Sequence, residues 1–135
     1  MKIKKFLFGI LVCVIILAIE KGANCESSPK WKVVTHFGLI TTVCIDKNIL
    51  PDKQQIAQIL HYIENNYGKG AIWLFDDEKF TPRGVPMTDE QMLHEVGIYD
   101  PTQWKTFQYV IITDPNSSPP KQKLINTDIV PGYAG

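Results

Sequence analysis

The sequence predicts a small α+β or α/β domain, in which one main helix packs on one face of a three- to four-stranded sheet. Residues 31–46 are rich in β-branched and aromatic side chains, a composition that favours strands. Apolar residues then recur at helical spacing over 51–67, and five consecutive apolar residues follow at 71–75. A strand, a helix and a strand in this order predict that the helix crosses over the sheet.

The first half of the domain contains the clearest elements. Gly38 interrupts the strand-forming stretch, so two short strands at 31–37 and 39–46 are favoured over one long strand. Pro51 suits the first turn of a helix, and Gly68 lies just beyond its end. The run 71–75 predicts a strand that is buried on both faces.

The second half predicts a short helix and a further strand. Thr88 and Gln91 have the spacing of a capping box, which predicts a helix over 88–96 that ends before Gly97. The composition of 107–113 favours a strand. The predicted order is therefore β(β)αβαβ, with a loop at 76–87.

The chain divides into three parts by composition. Residues 26–115 are long enough for a single small α/β domain with one core. Residues 116–135 are largely polar, with prolines and glycines, and predict a mobile polar tail. Residues 1–25 predict a signal peptide or an N-terminal membrane anchor.

The N-terminal prediction depends on a short apolar run. Residues 6–19 follow three lysines, and a helix of these 14 residues would span roughly 21 Å. That length is short of the ~30 Å hydrocarbon core, so a cleaved signal is favoured over a spanning anchor. Either interpretation makes the domain extracytoplasmic, as a periplasmic, secreted or membrane-anchored protein.

The end of the signal allows two kinds of processing. Cleavage after Cys25 would place small residues, Ala23 and Cys25, at positions −3 and −1 and start the mature chain at Glu26. The alternative is lipidation of Cys25, which would attach the protein to the membrane as a lipoprotein. Asn24 departs from the small residue that usually precedes a lipidated cysteine.

Charge and cysteine content exclude several classes. Without the four lysines and one glutamate of residues 1–25, ten basic and thirteen acidic residues remain, and Arg83 is the single arginine. Nucleic-acid binding is not expected because no basic cluster could neutralise phosphates. Cys44 is expected to be a small buried apolar residue. The alternative is a disulfide to Cys25, which requires an oxidising compartment and a retained Cys25.

One cluster of residues suggests metal chemistry. Asp76, Asp77 and Glu78 directly follow the predicted strand at 71–75, where sites in α/β sheets gather. With His94 they could hold a divalent cation of a small metal-dependent hydrolase, although their spacing matches no EF-hand. The rival interpretation is a solvated acidic loop, and no cofactor is expected.

A second set of residues suggests a contact surface. Apolar side chains in and after the loop could meet a partner protein in the cell envelope; they are Phe80, Val85, Pro86, Met87, Tyr99 and Trp104. The rival interpretation is that they fold back over the core. No nucleophile motif is present, so the expected function is a non-enzymatic protein-binding module. The metal-dependent hydrolase is the alternative.

Overall fold

The computed structural model describes residues 30–134, which form a mixed sheet, one long helix and several short elements. The strands are β1 (Trp31–Phe37), β2 (Ile40–Ile45), β3 (Ala71–Phe75), β4 (Glu95–Tyr99), β5 (Gln108–Asp114), β6 (Lys121–Asn126), β7 (Ile129–Val130) and β8 (Tyr133–Ala134). The helices are α1 (Lys53–Tyr67) and α2 (Asp89–Met92), with single 3₁₀ turns at Lys47–Ile49 and Glu78–Phe80.

In the described part of the chain, β1 to β6 form one six-stranded sheet whose strands lie in sequence order. Strands β2 and β3 pair in parallel, and all the other neighbouring strands of this sheet pair antiparallel. Helix α1 makes the crossover that a parallel pair requires. Strands β7 and β8 pair separately as a small hairpin, which contacts α1.

Helix α1 forms where the sequence predicts a helix. The side chain of Asp52 accepts a hydrogen bond from the Gln55 N–H at 3.1 Å, which satisfies one of the free donors of the first turn. At the other end Gly68 adopts φ = +88°, a conformation that favours glycine. The buried face of α1 consists of Ile56, Ala57, Ile59, Leu60 and Ile63.

The core lies between α1 and one face of the sheet. The helix packs on side chains from β2 to β5 and on the C-terminal hairpin; the buried partners are Val43, Ile45, Ile72, Leu74, Tyr99, Phe107 and Ile129. Gly97 in β4 lets Phe107 approach, since a Cβ there would lie 2.2 Å from Phe107 Cζ. This glycine is therefore a packing residue within a strand.

The opposite face of the sheet is covered in part by the loop that follows β3. Thr42 and Phe75 alternate with the core residues of their strands, and both are fully buried. Thr42 Oγ1 donates a hydrogen bond to the Pro82 carbonyl at 2.8 Å, and Thr81 and Pro82 are themselves buried. The loop is thus a second packing layer.

The predicted fold, a three- to four-stranded sheet of order β(β)αβαβ, is wrong. Strand β4 occupies 95–99, whereas the sequence predicts a helix over 88–96 and no strand there. The capping box at Thr88 and Gln91 exists, but the helix that it begins has only four residues. Hydrogen-bonded pairing of β4 with β3 and β5 therefore overrides the helical preference of the local sequence.

A further strand, β6, lies within 116–135, the segment assigned from its composition to a polar tail. Most β6 side chains are exposed because it is an edge strand, so it lacks the apolar alternation that predicts strands. Ile129 beyond it is fully buried, and its carbonyl accepts the Phe107 N–H at 2.8 Å.

Among residues 30–134, none of the helices combines the length and the hydropathy needed to cross a bilayer.

Candidate functional site

Asp76 and His94 form a hydrogen-bonded pair where β3 ends and β4 begins. The Asp76 N–H donates to the His94 carbonyl at 3.0 Å, so the two residues oppose each other across the antiparallel strands. Side chains in such positions are close neighbours, and His94 Nδ1 donates to Asp76 Oδ1 at 2.8 Å. The aspartate side chain is 11% exposed and the histidine 32%.

Two further side chains complete this site. Lys47 Nζ lies 3.3 Å from Asp76 Oδ2; it follows β2, and the carboxyl ends of the parallel strands β2 and β3 meet at one edge of the sheet. The Phe80 ring stacks on the His94 imidazole, with centroids 4.3 Å apart and planes within 3°. Asp76 and Phe80 together fix the orientation of the His94 imidazole. Such a pair has the form of a general acid–base.

The rest of the acidic run does not join this pair. The Asp77 side chain caps the following 3₁₀ turn by accepting the Lys79 N–H at 2.9 Å. Glu78 pairs with Lys32 of β1. Within residues 30–134 no three His, Cys, Asp or Glu residues are grouped closely enough to hold a metal ion. The four predicted metal-site residues therefore separate into one pair and two residues with other partners.

The six predicted contact residues lie in different environments. Phe80 is half-buried against His94, Val85 is 60% exposed, Pro86 is exposed and Met87 is half-buried. Tyr99 belongs to the core at 6% exposure, and Trp104 is half-buried after β4. The structure brings Phe80 to the candidate acid–base pair and leaves Val85 and Pro86 on the surface of the covering loop.

An aromatic groove lies beside β1, which is an edge strand of the sheet. It has a volume of about 460 Å³ and is lined by Trp31, Lys32, Val33, Tyr62 and Tyr67. The Trp31 and Tyr62 rings meet edge to face with centroids 5.3 Å apart. The groove therefore runs between an edge strand and the C-terminal half of α1.

Sequence reasoning missed this groove for two reasons. A bulge between Val33 and Thr35 shifts the register of β1, so the strict alternation of side chains in a regular strand fails beyond Val33. Tyr67 stands at the end of the helically spaced apolar residues of 51–67, yet it is 38% exposed, and Tyr62 is 51% exposed. The sequence offered one signal for the groove, which is the presence of two tyrosines, Tyr62 and Tyr67, near the end of one predicted helix. Aromatic side chains are enriched at interfaces.

Cys44 is fully buried in β2 and is disulfide-bonded. Its burial agrees with the prediction that Cys44 is a small buried residue. The presence of a disulfide agrees with the alternative prediction for Cys44. Residues 30–134 contain no second cysteine, so the bonding partner lies outside the described residues. The predicted signal or anchor, and the predicted lipidation of Cys25, lie outside them as well.

Comparison with known proteins adds no functional information: no protein-family model, curated protein or solved structure matches the chain significantly.

Proposed function

We propose that this protein is an exported protein-binding module that takes an extended segment of its partner along the outer edge of β1. The observation that carries the proposal is an edge strand lying directly beside an aromatic groove. Other proteins bind extended peptides in this way, by adding a strand to a sheet edge and placing alternate side chains in an adjacent pocket.

Backbone groups would supply the affinity. An edge strand presents a row of N–H and C=O groups to solvent, and within residues 30–134 no strand pairs with the outer edge of β1. Its seven residues extend over roughly 23 Å at ~3.3 Å per residue. An added strand could pair with these groups on either side of the bulge between Val33 and Thr35, where the ladder of hydrogen bonds is interrupted.

The groove would supply the specificity. In an added strand every second side chain faces the same way, so alternate side chains of the partner would point toward α1. The rings of Trp31, Tyr62 and Tyr67 offer apolar faces there, and Trp and Tyr often dominate binding energy. We therefore expect a partner segment with apolar or aromatic residues at alternate positions.

Selection from a library of short random peptides displayed on phage tests this function on the exported full-length protein. We expect recovered peptides to show alternate apolar residues and to lose affinity when alternate backbone nitrogens are methylated. Tyr62→Ala should weaken binding about tenfold or more, because it removes one wall of the groove. Binding that is insensitive to backbone methylation would refute strand addition.

The matched control is Tyr133→Ala. Tyr133 is 66% exposed and contributes to the C-terminal hairpin, away from the groove lining, so this substitution should leave peptide affinity unchanged. Thermal unfolding of both variants checks that neither disturbs the fold. Equal effects of the two substitutions would contradict a role for the groove.

Export itself rests on residues 1–25 and needs a separate measurement. We infer that the domain is periplasmic or secreted, with attachment through an N-terminal anchor or a lipid as alternatives. A reporter enzyme that is active only outside the cytoplasm, fused after the last residue, should be active. Deletion of residues 6–19 should abolish that activity, and an inactive intact fusion would contradict export.

The Asp76–His94 pair supports a second candidate function, a small hydrolase. Its metal-dependent form has weak support because Asp77 and Glu78 have other partners. Titration with Zn²⁺, Mn²⁺ and Mg²⁺, followed by calorimetry, tests whether the pair binds a metal. Saturable 1:1 binding that His94→Ala abolishes would favour this function, and its absence for all three ions would remove the metal-dependent form.

A further inference from the structure

The disulfide of Cys44 bears on how the N-terminus is processed. The chain has three cysteines, and the two besides Cys44 are Cys13 and Cys25. Cys13 belongs to the apolar run 6–19, whereas Cys25 follows that run and precedes the first strand. The identity of the partner therefore distinguishes a cysteine of the export signal from a cysteine of the mature domain.

We propose that Cys25 is the partner of Cys44, so that the mature protein keeps Cys25 as a disulfide half rather than losing or lipidating it. Lys30 lies near Cys44, because the Asp46 N–H donates to the Lys30 carbonyl at 2.8 Å. Cys25 precedes Lys30 by five residues, which can extend over roughly 17 Å. A disulfide needs Cα atoms about 4.4–6.8 Å apart, so the linker is long enough without strain.

Pairing with Cys13 is disfavoured by the membrane. Under the export proposed above, a signal at 6–19 would enter the hydrocarbon phase, and a bond from Cys13 to β2 would hold that run against the folded domain. Cys25 has no such conflict, since the polar residues Glu20 and Lys21 separate it from the apolar run. With such a signal, Cys25 and Cys44 would both be on the side of the membrane where the domain folds.

Formation of the bond joins the two Sγ atoms and releases two protons and two electrons. The electron acceptor is the reactive disulfide of a thiol oxidase, the class of protein that oxidises exported chains, and this disulfide is reduced to a dithiol. The Sγ of Cys25 cannot also carry a lipid thioether. Cleavage after Cys25 would remove it, so any signal cleavage must fall before Cys25.

Mass spectrometry of the exported protein, digested with trypsin without reduction, tests the proposal. We expect one species in which a peptide ending at Lys30 and containing Cys25 is linked to the peptide 33–47, which contains Cys44. A link from Cys44 to a Cys13 peptide would overturn the pairing. A mature N-terminus at Glu26, a diacylglyceryl Cys25, or two free thiols would also overturn it.

Paired substitutions provide a second measurement. Cys25→Ser and Cys44→Ala should each lower the thermal midpoint. Cys44→Ala should lower it at least as far as Cys25→Ser does, because it also removes the fully buried Sγ, and the double variant should show no loss beyond that of Cys44→Ala, since the same bond is broken in each case. Reductant should lower the wild-type midpoint to that of Cys25→Ser and leave the variant unchanged. Cys13→Ser is the control and should have no effect. An unchanged midpoint in Cys25→Ser would refute the pairing even if Cys44→Ala fails to fold.

Discussion

Replacing Glu95 by glutamine should make the stability of the domain less dependent on pH. Glu95 lies in β4 opposite Phe75 and is only 7% exposed. Its Oε1 accepts a hydrogen bond from Gln122 Nε2 at 3.0 Å, and no ion pair within residues 30–134 includes it. Burial raises the pKa of this carboxyl from 4.5 to about 7, against a smaller lowering by Gln122.

The sign of the effect follows from linkage. A carboxyl with a raised pKa in the folded state binds its proton more tightly there than in the unfolded chain, so the folded state is favoured at low pH. That contribution is complete below about pH 4.5 and is lost as the pH rises through about 7. The difference between the two pKa values corresponds to about 3 kcal/mol.

Urea unfolding of Glu95→Gln and wild type at about pH 5 and about pH 8 measures this effect. The advantage of the variant over wild type should grow by roughly 2–3 kcal/mol across that interval, because glutamine keeps the polar shape without the charge. Glu90→Gln is the matched control, since Glu90 is an exposed residue of α2 and should give a nearly constant difference. A constant difference for Glu95→Gln would refute the raised pKa.

Three further substitutions test packing, the covering loop and the surface. Gly97→Ala should cost about 1–3 kcal/mol in the free energy of unfolding, because its Cβ would meet the buried Phe107 ring. Thr42→Val should cost about 1–3 kcal/mol, since the Pro82 carbonyl loses a buried donor, and limited proteolysis should cut the loop 76–87 faster. Lys53→Ala should leave the urea midpoint nearly unchanged, because the ion pair of Lys53 with Asp128 is exposed; a clear loss of stability would contradict this.

The parts of the fold that could be predicted are those with strong local patterns. Helix α1 has a continuous apolar face, and β3 is an unbroken apolar run, so both elements appear close to their predicted bounds. Strand β4 contains Gly97, whose role depends on the ring of Phe107, just before β5. Strand β6 is an edge with mostly exposed side chains. Both owe their structure to partners distant in sequence, which local patterns do not reveal.

The candidate sites follow the same division. The acidic run was visible in the sequence, and His94 was considered with it, but their hydrogen bond depends on the register of β3 against β4. The groove depends on the bulge in β1 and on which tyrosines of α1 point outward. The Asp76–His94 hydrogen bond and the groove each form where two elements come into contact. Neither of them therefore has a local sequence signal as strong as the helical spacing of apolar residues.

The groove, the acidic loop and the disulfide converge on β1 and β2. Lys32 lies opposite Cys44 in the strand register, borders the groove and pairs with Glu78 of the loop that follows β3. The proposed bond from Cys25 to Cys44 would constrain the chain that enters β1, and the Lys32–Glu78 pair adds a contact from the covering loop. An edge strand held in this way has less conformational freedom to lose when a partner strand is added. The proposed disulfide and the proposed binding edge would then be parts of one arrangement, in which the bond to Cys44 stabilises the strand that would receive a partner.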